Sequence, residues 1–231
     1  MRELHIIQSG SIPYQDALNF QEELVQIKAQ ETSTPDVLWL LSHPPVITVG
    51  ARRDARKNLL QTDGVEVVSI TRGGDVTYHD EGQITGYLLS LLENQERDLH
   101  RILKILETAV IEALMPDAHP NDQLHTVEGK TGVFLNDSKV CSIGIACRRW
   151  VTFHGFSLCF TSDPKAWFRL NPCGLDPMVM KNLPGHFSRP HFEERIGNLL
   201  AAHLKRELSP QKWASREEFA SRFMRAPGPS C

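Results

Sequence analysis

Val133-Phe134-Leu135-Asn136-Asp137-Ser138-Lys139-Val140-Cys141-Ser142-Ile143-Gly144-Ile145-Ala146-Cys147 decides the fold. Two apolar runs flank Asn136-Asp137-Ser138, residue types that favour turns, so the stretch predicts an antiparallel β-hairpin. Phe153 to Phe160 reads as its partner strand. Before the hairpin lies the strongest helical pattern in the chain, from about 98 to 114. There Leu99, Ile102, Leu103, Leu106, Val110, Ile111 and Leu114 share one face, and Pro116 ends the run.

Further out, Met1 to Ile7 reads as a short strand. Ser11-Ile12-Pro13 then reads as a helix start, with Ser11 as cap, and the helix continues to about residue 30 on a stripe of Tyr14, Ala17, Leu18, Leu24, Val25 and Ile27. Val37 to Leu41 and Val46 to Val49 are strands separated by His43-Pro44-Pro45, and Val65 to Ile70 is another. A helix from about 188 to 205 precedes a tail after Arg225. Strands and helices mix without a regular βαβ rhythm. That order predicts an α+β class, with a mixed β-sheet flanked by helices in a single domain over 1–231.

Composition narrows the function. The hydrophobic fraction of 41% supports a sizeable core, and a formal net charge of −3 gives no basic field of the kind nucleic-acid binding requires. No apolar run approaches the roughly 20 residues of a membrane span. The N-terminus enters a strand without a signal-peptide core, so a soluble cytoplasmic protein is expected. Five cysteines, at 141, 147, 159, 173 and 231, form neither a disulfide framework nor a CxxC pattern and suit a reducing compartment. Ten histidines show no HExxH spacing, and His119 and His125 lie in a loop without acidic or thiol partners at recognised intervals, so no metal is expected.

Four stretches carry chemistry. Arg72-Gly73-Gly74-Asp75-Val76-Thr77-Tyr78-His79 offers a backbone that a ligand can approach, a cation, an aromatic wall and a polar ring; a tight turn with Tyr78 in the core is the alternative. In Lys139 to Ile145, strand alternation puts Lys139, Cys141, Ile143 and Ile145 on one face. A lysine there either opens into a pocket or ends the hairpin in water, and Gly144 marks a close approach to the backbone. His154-Gly155-Phe156-Ser157 again sets a glycine beside a histidine in an apolar strand. Asn171-Pro172-Cys173-Gly174 holds a cysteine on a tight turn, as a nucleophile or as an inert thiol. A thiol attacks as thiolate, and a neighbouring ammonium favours that form, so Lys139 and Cys173 together suggest acyl transfer through a thioester.

Taken in order, these stretches resemble the lipoyl(octanoyl)transferase family. The Arg-Gly-Gly and Thr-Tyr-His run, the lysine-bearing strand, the His-Gly strand and the Pro-Cys-Gly turn all have counterparts here, as does His43-Pro44-Pro45-Val46-Ile47-Thr48-Val49-Gly50. The likeness runs from about residue 5 to 184, leaving a C-terminal helix and tail over 185–231. It implies the biotin/lipoate ligase-like fold. It also implies that Cys173 accepts an octanoyl group from octanoyl-acyl carrier protein and passes it to a lysine of a lipoyl domain, with Lys139 lowering the thiol pKa. Acceptors would be the lipoyl domains of 2-oxoacid dehydrogenases and glycine cleavage H protein. No cofactor is implied beyond the phosphopantetheine of the carrier, and no membrane or nucleic acid takes part. Arg72 to His79, Ser142-Ile143-Gly144 and His154-Gly155-Phe156-Ser157 would line the acyl site. Arg52, Arg53, Arg56 and Lys57, with Arg148 and Arg149, are candidates for a basic docking face. Asp80-Glu81 stand where the family has Gly-Pro, adding negative charge near the site. The alternatives are an ATP-dependent ligase of the same fold, indifferent to Cys173, and a non-catalytic binder of acylated carrier protein.

Overall fold

The computed structural model describes residues 2–171 and 177–224. Its frame is an eight-stranded mixed sheet built from β1 (Glu3–Ser11), β2 (Asp36–Ser42), β6 (Gln83–Leu89), β7 (Leu124–Val127), β8 (Lys130–Leu135), β9 (Ser138–Arg148), β10 (Val151–Cys159) and β11 (Glu207–Trp213). The order across it is β11-β1-β2-β6-β10-β9-β8-β7. β1 runs parallel to both β2 and β11, whereas β2–β6, β6–β10 and the β10-β9-β8-β7 meander are antiparallel. A second sheet of three strands joins β3 (Val46–Val49), β4 (Glu66–Ser69) and β5 (Val76–His79) in the order β4-β3-β5. The α+β class with a mixed sheet is what the irregular order of strands and helices predicts.

Four helices cover the large sheet: α1 (Tyr14–Gln30), α2 (Leu99–Leu114), α3 (Arg189–Leu204) and α4 (Arg216–Phe223). The apolar faces of α2 and α3 pack on one side, with Leu38, Leu88, Val140, Cys141 and Phe156 beneath them. Each fully buried Leu or Phe there stabilises the fold by about 1.5–3 kcal/mol. Asp98 caps α2 by accepting the amides of His100 and Arg101, and Ser188 caps α3. α1 and α4 cover the opposite face around Trp39, Phe153 and Trp213. None of the helices among the described residues is long and apolar enough to cross a membrane.

Several boundaries differ from the sequence expectation. Ser11 is not a helix cap: it pairs with Ser42 as the last residue of β1, and its hydroxyl donates to Glu81. α1 instead follows Pro13, whose ring presets the entry without any side-chain cap. The sequence reading misses β6, whose seven residues are all buried and therefore show no alternation. β11 also escapes it, because Pro210 and its polar neighbours do not look like strand; among the described residues the segment is an edge, paired with β1 alone. The tail after Arg225 lies outside the described residues.

A buried ionic knot ties α1 to the sheet. Lys28 Nζ donates to Asp36 Oδ1 at 2.8 Å and to the Thr34 and Pro35 carbonyls, all within the core. Asp36 Oδ2 accepts from the Ser90 hydroxyl at 2.6 Å and from Arg206 Nε at 2.8 Å, and Arg206 also grips Glu96. Burial alone would raise the Asp36 carboxyl; Lys28 and the hydrogen bonds from Arg206 and Ser90 more than offset that and hold it below the usual range.

Candidate active site

The small sheet leans against the face of β6, β10 and β9, and a cleft opens where they meet. Its cavity volume is about 50 Å³, room for roughly four waters at about 10–15 Å³ each. A neighbouring chamber of about 290 Å³ shares Gly74, Asp75, Lys139, Ile143 and Gly144 with it. Most of the residues singled out from sequence meet here. Arg72, Gly74, Asp75, Val76, Thr77 and His79 come from the glycine loop and β5. Lys139, Ser142, Ile143 and Gly144 come from β9, and His154, Gly155, Phe156 and Ser157 from β10. Gly73 lines the neighbouring chamber.

Two expectations need correction. Tyr78 does not wall the cleft. Along β5 its neighbours Thr77 and His79 face the cleft, and alternation turns Tyr78 the other way, onto Trp167 with ring centroids 5.9 Å apart. Lys139 and Cys141 do not share a face either. Opposite them, Val133 pairs with Cys141 and Phe134 with Lys139, so β9 carries one extra residue, Val140. This bulge sends both Val140 and Cys141 into the core under α2, and it turns Lys139 over to the cleft with Ser142 and Gly144.

Lys139 is only 3% exposed, so it does not end the hairpin in water. Its ammonium donates to the Thr131 carbonyl at 2.8 Å and lies 5.9 Å over the Phe134 ring. Its backbone carbonyl accepts the Lys181 amide at 3.1 Å, and Met180 bridges to it in parallel fashion. Arg72 reaches from the loop to the Thr48 hydroxyl at 3.0 Å. The Gly73 amide donates to the Ile145 carbonyl, and a Cβ at Gly144 would sit 3.0 Å from the Gly73 oxygen. Gly144 is thus where the loop closes on β9, the close approach its position suggests.

The inner wall is aromatic and neutral. His43 Nδ1 bonds to the Ile12 carbonyl at 2.7 Å, which makes that nitrogen the N–H donor and leaves Nε2 to accept from the Tyr87 hydroxyl, also at 2.7 Å. Burial lowers the His43 pKa to about 4, His79 well below its usual value and His154 to about 3. His79 Nδ1 meets Gln83 Oε1 at 3.2 Å, and the Tyr14 ring stacks on His79 at 5.9 Å. His154 sits at φ +60° with its amide bonded to Gln21. Among the described residues, neither of its ring nitrogens has a hydrogen-bond partner, and the same holds for the hydroxyls of Thr77 and Thr85. All three side chains line the cleft. Strain and unsatisfied polarity gathered at one cavity mark a site shaped for a ligand. Tyr14, Thr85 and Tyr87 are lining residues that sequence reasoning misses. Gly86, interrupting the apolar run of β6, was the available signal.

Other candidate residues fall elsewhere. Cys173, with Pro172 and Gly174, lies outside the described residues. Cys141 and Cys159 are buried, and burial pushes both thiols far up, so neither is a nucleophile at neutral pH. Asp80 does not charge the cleft: its carboxylate accepts the Gly82 and Asp163 amides and the Ser162 hydroxyl, knitting a turn. Arg52 lines the chamber beside Lys139, and Arg53, Arg56 and Lys57 are exposed in the same loop. Arg148 and Arg149 stand at the far end of β9, about 30 Å from Lys139 at roughly 3.4 Å per residue. Arg148 is held there by Glu22.

Comparison with known proteins bears on the family and the fold. A family profile described as "Lipoyl protein ligase A/B catalytic domain" matches residues 13–205. An octanoyltransferase of Syntrophotalea carbinolica is 44% identical over 174 residues, covering 75% of this chain and 80% of that protein. One from Geobacter metallireducens is 40% identical over 181 residues, covering 78% and 82%. Among solved structures, lipoate-protein ligase A bound with ATP superposes with a TM-score of 0.67 at 14% identity, over 96% of this chain and 92% of that one. A bipartite lipoate protein ligase from Thermoplasma acidophilum gives 0.69 at 12% identity, over 96% and 91%. At such low identity these two speak for the fold alone. The relatives and the profile together place the chain in the lipoyl protein ligase A/B catalytic-domain family, as an acyltransferase of the octanoyltransferase type.

Proposed function

We propose that this enzyme moves an octanoyl group from octanoyl-acyl carrier protein to a lipoyl-domain lysine by way of a thioester on Cys173. The thiolate of Cys173 attacks the donor carbonyl, the bond to the phosphopantetheine sulfur breaks, and that sulfur leaves as a thiol after taking a proton. The acceptor amine then attacks the enzyme thioester. A C–N bond forms, Cys173 leaves as thiolate, and the amine gives up one proton. Thioester to amide is downhill, so neither ATP nor any other cofactor is needed.

One observation carries the reading: Lys139 is a buried ammonium delivered to the cleft by a bulge. With His43, His79 and His154 all neutral, Lys139 and Arg72 are the cationic groups lining the cavity. The chain that follows Cys173 supports it too, because Met180 bridges to Lys139 itself. An ammonium so placed stabilises a thiolate and gives protons to the departing sulfur. The exposed cations beside the chamber, Arg52, Arg53, Arg56 and Lys57, suit an acidic carrier protein. Acceptors would be lipoyl domains of 2-oxoacid dehydrogenases and glycine cleavage H protein.

Intact mass spectrometry after mixing with octanoyl-acyl carrier protein tests the intermediate. Wild type and Cys141→Ala should each gain one octanoyl group, and Cys173→Ala should gain none. Octanoylated Cys173→Ala, or transfer by that variant at the wild-type rate, would sink the covalent route. Activity that requires ATP and a free acid would favour the ligase reading.

A further inference from the structure

Away from the cleft, two loops bring together His119, Asp122 and His186. One loop precedes β7 and the other precedes α3. Their ligating atoms all lie within 4.8 Å of one another. We propose that these three side chains bind a divalent first-row transition-metal ion, with zinc as the representative. Motif spacing does not reveal the set: Asp122 stands only three positions after His119, but His186 lies more than sixty positions away and is brought in by the packing of α3 against α2.

The donor chemistry selects the ion. Two imidazole nitrogens and one carboxylate oxygen suit Zn²⁺, Co²⁺ or Ni²⁺, whereas Mg²⁺ and Ca²⁺ want mostly oxygen. His186 Nε2 meets Asp122 Oδ2 at 2.7 Å. At bond lengths of roughly 2.0–2.2 Å, a tetrahedral ion needs donors about 3.4 Å apart. These two therefore part slightly as a metal replaces the shared proton. The His119 and His186 rings are stacked, with centroids 3.8 Å apart and an interplanar angle of 13°. Parallel rings cannot both point in-plane at one ion. His119 is exposed, so its ring can turn and supply the third donor, the second nitrogen of the set.

The supporting shell is already in place. The His119 backbone amide donates to Asp122 Oδ2 at 2.8 Å and orients the carboxylate. Asp117 accepts from the Ser188 amide at 3.1 Å and from Arg195 at 2.9 Å, and Arg195 also reaches the Ala113 carbonyl. These bonds fasten both loops to α2 and α3, so little chain need be ordered on binding.

The test is a zinc titration against a chromophoric chelator, on protein whose accessible thiols have been alkylated, with Co²⁺ absorption as a second readout. Wild type should take up one ion. His119→Gln and His186→Gln should each weaken binding by more than about tenfold, and the double variant should abolish it. His125→Gln, outside the cluster, should bind as wild type. His119 is exposed, so His119→Gln stays informative even if a change at His186 disturbs folding. Zinc uptake by the double variant equal to wild type, or no uptake by wild type, would overturn the proposal.

Discussion

Gly132→Ala would test the bulge that aims Lys139. Gly132 has φ +131°, where a side chain is strained, and an added Cβ would press on the Cys141 carbonyl and stand 2.7 Å from Lys139 Cε. The strained backbone costs about 1–3 kcal/mol. Overpacking against a fixed carbonyl adds about 1–3 kcal/mol. The total is roughly 2–6 kcal/mol, and at about 2–4 °C per kcal/mol for a chain of this size the melting point should drop by roughly 4–24 °C. Gly129 supplies the comparison. It has φ +74° but nothing within 4 Å of an added Cβ, so Gly129→Ala should cost only the left-handed penalty of about 1–2 kcal/mol. Thermal unfolding and octanoyl transfer measured on both variants separate the two. Gly132→Ala should lose stability and also transfer slowly, because Lys139 is displaced; Gly129→Ala should transfer normally. If Gly132→Ala is no worse than Gly129→Ala on either measure, the packing of Lys139 against position 132 is wrong.

Lys139→Ala should still bind octanoyl-acyl carrier protein but acylate slowly at neutral pH and recover partly as pH rises; stopped mass spectra at several pH values would show it, and wild-type rates throughout would refute the activation of Cys173. The buried rings of His43 and His154, with pKa values lowered to about 4 and about 3, should give no NMR titration between pH 5 and 8. A histidine pKa lowered on folding means the unfolded chain binds the proton first. Each ring should therefore remove stability at roughly 1.4 kcal/mol per pH unit as pH falls from about 6.5 toward the folded value, visible in urea midpoints. Asp36→Asn should cost about 3–5 kcal/mol by stranding the buried charge of Lys28. It should also remove the part of wild-type stability that is present above the unfolded Asp pKa of about 3.9 and lost as pH falls through the depressed folded value; an unchanged acid limb in the variant would refute that assignment.

The elements legible in the sequence are those whose periodicity survives their surroundings. α2 shows its stripe because one face is buried under the sheet and the other is wet. The β8–β9 hairpin shows itself through the turn at Asn136, which adopts φ +52°, the left-handed geometry asparagine tolerates. β6 is illegible because both its faces are covered, and β11 because an edge strand tolerates proline. The site was legible as a set of motifs and illegible in its orientation. Strict alternation puts Lys139 with Cys141, and only the extra residue at Val140 sets them apart. That single insertion leaves one thiol inert in the core and turns the lysine to the cleft. Ligases and transferases share this fold, so the shape of the sheet cannot separate them. Under the proposed route, what separates them is whether Lys139 has a sulfur to ionise, and in sequence Cys173 falls between two bridges, Leu59 to Leu170 before it and Lys139 to Met180 after it. Because the second of these ends on the lysine itself, altering the length of the chain between Cys173 and Met180 should uncouple the two residues without touching either. Inserting two glycines there should lower the acylation rate at neutral pH toward that of Lys139→Ala while leaving the melting point near wild type, and a rate unchanged by the insertion would show that the bridge does not set their distance.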